Sequence, residues 1–436
     1  MRRLRSVFAL LLAGVVMSGL AACGSSDSGG GASATDDGGG GGGGSTAAAT
    51  TATSGGAAPT GAAIKIGTIC TCSGPVGAGL AGVKPMMQAW VKWTNAHGGL
   101  NGHPVELTIL DDKGDATASA TLARQLINDK VMAIVGHYTL QSNAWADIVQ
   151  KAGVPVVGTP GVNRPEFTNP DFYPTGGGPP MTLTGNLNNA GLVKAPNVAV
   201  MYCTEAPVCA QVKQVAGKIA GIVGNGVKIA ASPSISGSQP SYATQCLAAK
   251  SSGADSAIIL ESQNITSRVI QQCIQQGWKP VQLSSGGSLP HDDPSAFGKS
   301  KAVLTNPTLS IDDPGATMQT FRAMLKQYAP SVASGKDYSE VLSAPYAGLQ
   351  LFAKVADTAK LTPTSTPDDV KKGLYALKDE TLGGLTVPLN YKEGQPTFLS
   401  CYFRTQYDGS KWVSTPKPIC LTAAQTSAVK AAFGLS

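Results

Sequence analysis

Residues 64–90 read IKIGTICTCSGPVGAGLAGVKPMMQAW. A β-branched run, Ile64–Ile69, leads into a glycine-rich turn, and a helix-like run from Val83 to His97 follows. Gly77, Gly79 and Gly82 spell G-x-G-x-x-G, the spacing that lets backbone N–H groups approach a pyrophosphate at a helix start. The next strand-like run, Val105–Leu110, ends on the acidic pair Asp111 and Asp112. A dinucleotide fold, however, wants its first glycine at the very end of the first strand. Here Cys70–Val76, with Pro75 inside it, makes a loop of its own before Gly77. The pyrophosphate would not meet the helix start squarely, so neither NAD nor any other cofactor is expected. The alternative is that strand, Ser-Gly-Pro loop and helix start together form a lip for another ligand, with the Ser73 hydroxyl and backbone N–H groups holding a polar or anionic group.

Outward from this stretch the same rhythm repeats. Helix-like Thr117–Asn128 precedes strand-like Ala133–Val135, helix-like Gln141–Lys151 and strand-like Pro155–Val157. The Pro/Gly-rich segment GTPGVNRPEFTNPDFYPTGGGPP (158–180) then breaks the pattern. It restarts with strands at Val198–Met201, Val227–Ile229, Ser256–Leu260 and Val281–Ser284, separated by helices at Val208–Ile222, Tyr242–Lys250 and Thr266–Gln275. Helices at Ala316–Gln327, Tyr338–Ala359 and Asp368–Leu377 come next, and residues 397–414 read as a hairpin through Asp408-Gly409. Two runs of β-α units imply two α/β lobes, each a parallel sheet covered by helices.

The N-terminus sets the address. Arg2, Arg3 and Arg5 precede an apolar run, Val7–Leu20, shorter than the roughly 20 residues a spanning helix needs. Leu20-Ala21-Ala22-Cys23 resembles a bacterial lipobox, so residues 1–22 are expected to be a lipoprotein signal peptide and Cys23 the lipidated first residue. Residues 23–60, rich in Gly, Ser, Ala and Thr, show no apolar periodicity and read as a disordered tether. Such a tether reaches roughly 35 Å. The expected location is the extracellular face of the bacterial cytoplasmic membrane.

The formal charge of +6 falls to about +3 once the three leading arginines leave, and Lys and Arg are scattered. Nothing resembles a nucleic-acid footprint, which needs basic residues clustered on one face. Apart from Cys23, the cysteines are Cys70, Cys72, Cys203, Cys209, Cys246, Cys273, Cys401 and Cys420. An even set in an exported chain favours disulfides. The expected pairs are Cys203 with Cys209, Cys246 with Cys273, and Cys401 with Cys420. Cys70 and Cys72 are left either as a strained Cys-x-Cys bridge or as free thiols. Zinc would need two clustered ligand pairs, and only four His exist, none near a Cys-x-x-Cys; no metal is expected. No G-x-S-x-G, H-E-x-x-H or Walker loop occurs, since Asp293 stands where the first glycine of a Walker loop ending at Gly298-Lys299-Ser300 must be. No enzyme is expected.

Several pieces together carry a resemblance: Ser73-Gly74-Pro75, Gly98-Gly99-x-Asn101-Gly102, Asp111-Asp112, Leu126-Ile127, Ala133-Ile134-Val135-Gly136 and Gly153-Val154-Pro155. Over about 100 residues the chain resembles the first lobe of type I solute-binding proteins of ABC importers, in the leucine/isoleucine/valine-binding branch. The β-α order fits that resemblance to about residue 390. It implies two doubly wound three-layer α/β lobes with a ligand cleft between them and three crossovers, near Pro180, Asn306 and Asn390. Lobe 1 would comprise residues 61–181 and 307–390, lobe 2 residues 182–306 and 391–436. Asp111-Asp112 becomes a structural loop. The implied partners are a small polar solute (an amino acid, an amide or a relative), an ABC permease, and the membrane through the lipid at Cys23. The implied state is a monomer. The alternative reading is the same fold acting as a sensor or adaptor for a membrane partner, without transport.

Ligands of open α/β sheets sit beyond the carboxyl ends of the strands. That rule alone selects Ser73, the segment His137–Ser142 and the segment Gly158–Asn163. From the second lobe it selects Thr204-Glu205, Glu261–Gln263 and Ser284–Gly287. The expected ligand-binding residues are Ser73, Tyr138, Leu140, Gln141, Gly161, Asn163, Glu205, Glu261 and Ser285. The resemblance gives Leu140-Gln141 and Gly161–Asn163 the task of holding an amino acid's carboxylate and ammonium. It also expects an acid after the second lobe's last strand, where this chain has Ser284-Ser285-Gly286-Gly287-Ser288. Glu205 or Glu261 is the substitute. Gly79, where some relatives carry a large aromatic, implies a roomier pocket; Tyr138 and His137 would stack on or hydrogen-bond a larger solute, with His137 equally readable as a structural hydrogen-bonder.

Overall fold

The computed structural model describes residues 58–74, 77–205, 207–290, 294–298 and 300–435. The signal peptide, the lipidated Cys23 and nearly all of the tether lie outside the described residues.

The run that opened the sequence analysis becomes β1 (Ile64–Cys70), followed by α1 (Val83–Ala96) and β2 (Val105–Asp111). Next come α2 (Ala116–Asn128), β3 (Ile134–Val135), α3 (Ala146–Lys151) and β4 (Val156–Thr159). The Pro/Gly-rich segment does not break the rhythm as expected. It holds α4 (Pro165–Thr168), β5 (Phe172–Pro174) and the start of α5 (Gly178–Leu192). Prolines caused the misreading. Pro165 opens α4 and Pro179-Pro180 open α5, at first-turn positions whose N–H has no helical partner anyway.

These five strands make one wholly parallel sheet, in the order β2-β1-β3-β4-β5. Its faces follow the period of two. Ile134, Val156 and Phe172 point into a core with α2 and α3, while Val135, Val157 and Tyr173 point into the larger core on the other side. That larger core is closed by α1 and by later chain: α9 (Ala316–Tyr328), the short α10 (Pro330–Ala333), α11 (Ser343–Ala359) and α12 (Pro367–Ala376).

The second sheet gathers β6 (Asn197–Cys203), β7 (Lys228–Ala231), β8 (Ser234–Ile235), β9 (Ser256–Leu260), β10 (Val281–Ser284), β11 (Ala302–Asn306), β12 (Cys401–Tyr407) and β13 (Trp412–Cys420). Its order is β13-β12-β11-β10-β9-β6-β7, with β8 against the end of β6. The strands up to β11 run parallel, and β12 and β13 are antiparallel. One face meets α7 (Ala243–Ser251) and α8 (Gln263–Gln275). The other meets α5, α6 (Pro207–Val223) and α13 (Ala423–Ala432). Along β6, Ala199 and Met201 face the first of these layers, Val198 and Val200 the second. Both lobes are therefore helix–sheet–helix sandwiches.

The chain passes between the lobes after β5, after β11 and between α12 and β12. The first passage runs through Thr175–Gly177, just ahead of the expected Pro180, because α5 already packs on the second sheet. Leu309 N–H donates to Leu385 O at 2.9 Å, tying the second passage to the chain leading into the third. The cysteines form Cys70–Cys72, Cys203–Cys209, Cys246–Cys273 and Cys401–Cys420 bridges. Among the described residues no helix is long and apolar enough to cross a membrane.

Candidate functional site

In the first lobe the strand ends are braced by two buried carboxylates. Tyr138 N–H donates to Ile69 O at 3.1 Å and Thr71 N–H to Tyr138 O at 2.9 Å, so the ladder between β1 and β3 extends past the strands. Asp112, only 1 % exposed, accepts from Thr71 Oγ1 (2.8 Å), Ser119 Oγ (2.8 Å), Gly114 N (2.9 Å) and Thr139 Oγ1. It thus joins the segments after β1, β2 and β3. Asp111 accepts from Ser73 Oγ at 2.5 Å and from the N–H of Cys72 and Lys113. Partial burial pushes its carboxyl up, but these hydrogen bonds outweigh that and hold it below the usual carboxylate range. The acidic pair is structural, as the resemblance implied.

Glu166 is the second brace. It is wholly buried and accepts from Ser142 Oγ (2.9 Å), Val162 N (2.9 Å), Asn163 N (3.2 Å) and Asn163 Nδ2 (3.1 Å). Asn163 Nδ2 also donates to Thr139 O at 3.0 Å. The segments carrying Leu140-Gln141 and Gly161–Asn163 are thereby clasped to one another. Burial pushes the Glu166 carboxyl up to about 7, against hydrogen bonds from Asn163, Ser142 and Val162 that pull it down.

The expected first-lobe residues therefore converge on one rim, yet their donors are largely committed inside the protein. Leu140 N–H goes to Thr71 Oγ1 (3.2 Å), Gln141 N–H to Thr139 Oγ1 (3.0 Å) and Gln141 Nε2 to Gly114 O (3.0 Å). The Ser73 hydroxyl proton goes to Asp111, so Ser73 offers a solute its lone pairs. Gly161, at φ +78°, sits so close to Gly178 that a Cβ would lie 2.8 Å from its N. His137 is corrected outright. It is fully buried, edge-on to Trp145 and Phe172, and cannot stack on a solute. Tyr138 is half-buried and packs on the larger core of its lobe, and burial together with the Glu166 charge pushes its phenol up to about 12.

The glycine turn has separate uses for its glycines. A Cβ on Gly77 would fall 2.3 Å from Ser73 O, and one on Gly82 would fall 2.7 Å from Asp337 O. One on Gly79 would meet nothing within 4 Å. The outer two serve close packing, and the middle one is open to a larger side chain.

In the second lobe Glu205 and Glu261 follow the neighbouring strands β6 and β9, and their carboxylates come within 4.8 Å of each other and of Cys203 Sγ. Glu205 is exposed and accepts from Ser236 Oγ (2.6 Å) and Gly237 N (2.7 Å), which hold its carboxyl down at about 2. Glu261 is held up by partial burial and by the neighbouring Glu205 charge. Because Cys203 is bridged to Cys209, its sulfur is no thiolate ligand, and the pair of carboxylates remains as a seat for a cationic or hydrogen-donating group. Ser285 lies farther off, beyond β10, with its hydroxyl 3.2 Å from that of Ser288. Next to it Gly286 is buried against Glu340 of the first lobe. Two cavities, of about 240 and 380 Å³, lie around Arg404 and Gln406 at the opposite ends of the second lobe's strands and involve none of these residues.

Sequence reasoning missed Thr71 and Glu166 and took in Thr139 only as part of the His137–Ser142 segment; all three aim the rim. For Glu166 a signal was present: Asn163 followed by Pro165-Glu166 marks a helix start, and Glu166 accepts from Asn163 N–H one residue ahead of the cap. For Thr71 there was none, and for Thr139 only its place beyond a strand end.

Comparisons with known proteins follow the same line. Residues 63–411 match the periplasmic binding protein family. A Leu/Ile/Val-binding protein homolog 2 from Brucella abortus is 31% identical over 94 residues, 21% of this chain and 25% of that protein. The chain thus matches about a quarter of that relative's length. A structure of a branched chain amino acid ABC transporter from Thermus thermophilus with bound valine has a TM-score of 0.70 at 11% identity, covering 84% of this chain and 98% of that one. A fatty acid ABC transporter substrate-binding protein from Thermomonospora curvata has a TM-score of 0.67 at 13% identity, covering 85% and 95%. These structures share the fold.

Proposed function

The chain belongs to the periplasmic binding protein family, and from that premise we propose that it captures a small polar solute bearing an amine or amide and delivers it to an ABC importer. The observation that carries the solute class is the Glu205–Glu261 pair at the carboxyl ends of neighbouring strands. Two carboxylates so close favour a partner with positive charge or several N–H donors. The amino-acid-binding relatives support that choice, while the fatty-acid relative marks the alternative in which the pair has no role. Capture works by lobe closure about the three passages, driven by a solute that binds the closed state better than the open one. The lipid at Cys23 and the tether hold the protein, a monomer bridged by its disulfides, at the extracellular face of the cytoplasmic membrane.

The test is a thermal-shift screen of residues 61–436 against amino acids, amides, urea, sugars, fatty acids and NAD. A solute at 100 times its Kd adds about 2.7 kcal/mol, which is a shift of a degree or more. A shift with an amine or amide that is abolished or weakened at least tenfold in Glu205→Gln and Glu261→Gln supports the reading. A shift confined to fatty acids and untouched by both variants overturns the solute class.

A further inference from the structure

Glu166, like Asp112, is a rim acid buried without a cation, and it is the one that clasps the segments after β3 and β4. A carboxylate removed from water is costly unless donors replace the water. Here four hydrogen bonds do so, one from the segment after β3 and three from the segment after β4. The acid is thus the common partner of the two segments that flank Leu140-Gln141 and Gly161–Asn163. Few charged groups stand near it. His137, from the segment after β3, has Nε2 at 3.9 Å from Oε1, and neither of its ring nitrogens finds a hydrogen-bond partner among the described residues. Burial holds that imidazole down at about 3, so the contact is no ion pair at neutral pH. Tyr138, from the same segment, feels the Glu166 charge through its phenol. Arg164, on Glu166's own turn, is engaged elsewhere, with Nη2 2.8 Å from Gly434 O.

We propose that Glu166 is a positioning residue for solute binding: its ionised carboxylate sets the aim of the Thr139–Ser142 and Gly161–Asn163 segments, and solute affinity depends on that ionisation. The proposal rests on the reading of this rim as half of the solute cleft. Protonation weakens the acceptor that clasps the segments, and the added proton faces the Ser142 hydroxyl oxygen at 2.9 Å and, farther off, the neutral His137 ring at 3.9 Å. Stability and affinity then respond to pH with opposite signs. The folded carboxyl titrates near 7, above its unfolded value, so the protein gains stability below that range and loses it as pH rises through the window from about 4.5 to 7. Affinity instead strengthens as pH rises through about 7. An acid that served only the fold would move stability and leave affinity flat.

The experiment is hydrogen exchange on the full chain between pH 6 and 8, corrected for intrinsic rates, for wild type, Glu166→Gln and Glu166→Asp, with Kd for L-leucine as probe and urea stability measured in parallel. Protection of the Val162 and Asn163 amides should fall roughly tenfold as wild type is acidified, stay low at all pH in Glu166→Gln, and partly recover in Glu166→Asp. The L-leucine Kd should tighten with pH in wild type and lose that dependence in Glu166→Gln. Unchanged protection and Kd in Glu166→Gln overturn the proposal. If Glu166→Gln does not fold, flat wild-type protection across pH overturns it and a falling one sustains it. Absence of L-leucine binding at any pH counts against the solute class alone, because exchange still decides whether Glu166 sets the rim.

Discussion

Asp112 shows how much a single side chain can organise. Its two oxygens take donors from the segments after β1, β2 and β3 and from α2, in a site only 1 % exposed. Asp112→Ala leaves these donors buried and unpaired, and urea unfolding should show a loss of about 3 kcal/mol. Asp112→Asn, which keeps an acceptor oxygen, should lose less. The acidic pair was legible as a loop because it ends a strand-like run. Its partners were not, because Thr71 and Thr139 are far from it in the chain and carry no periodic signal. The same gap explains Leu140 and Gln141. Their position at a rim was readable, while the commitment of their N–H groups to threonine hydroxyls was not.

Among the elements, α11 has the closest seat. Gly348 on this helix lies against Gly136 and Gly158 at the ends of β3 and β4, and a Cβ on it would fall 2.6 Å from Gly136 Cα and from Gly158 O. Gly348→Ala must lift the helix from the sheet and should cost about 2 kcal/mol in chemical denaturation. Gly79→Ala, at a site with open space, should be nearly neutral and serves as the control. Elements with clean periodicity, such as β1, α1, β9 and β10, were readable from sequence to within a residue or so. Among the elements missed, β5, α4 and β11 are short and α5 opens on prolines, whereas α13 is ten residues long and its signal was the Thr422–Gln425 capping box. The expected helix Gln141–Lys151 splits at Trp145, whose ring is drawn into the core and leaves a 3-10 turn at Ser142–Ala144.

For the whole molecule the contact between lobes matters most. The loop after β10 packs on the first lobe, and a Cβ on Gly286 would sit 2.3 Å from Glu340 Cβ and 2.8 Å from Asn306 Oδ1. Gly286→Val should prop the lobes apart while leaving each core intact. Titration with the solute found by thermal shift should show affinity weakened tenfold or more, since the closed population pays the strain. Small-angle scattering should show a larger radius of gyration in the presence of that solute than in wild type. Equal affinity and equal dimensions would mean that closure does not use this contact.

The chain's own sequence determined the fold class, because hydrophobic period, turn chemistry and β-α alternation are local and repeat often enough to be read twice, once per lobe. It also determined which strand ends form the rims, since that follows from parallel topology alone. Tertiary structure decided the rest. It brought Glu205 to Glu261, buried His137 away from the cleft, spent the rim's donors on Asp112, Glu166 and two threonines, and set Gly286 against Glu340. Each of these joins residues distant in the chain, through directional hydrogen bonds or contacts within van der Waals distance, and no local pattern of residues encodes such a meeting.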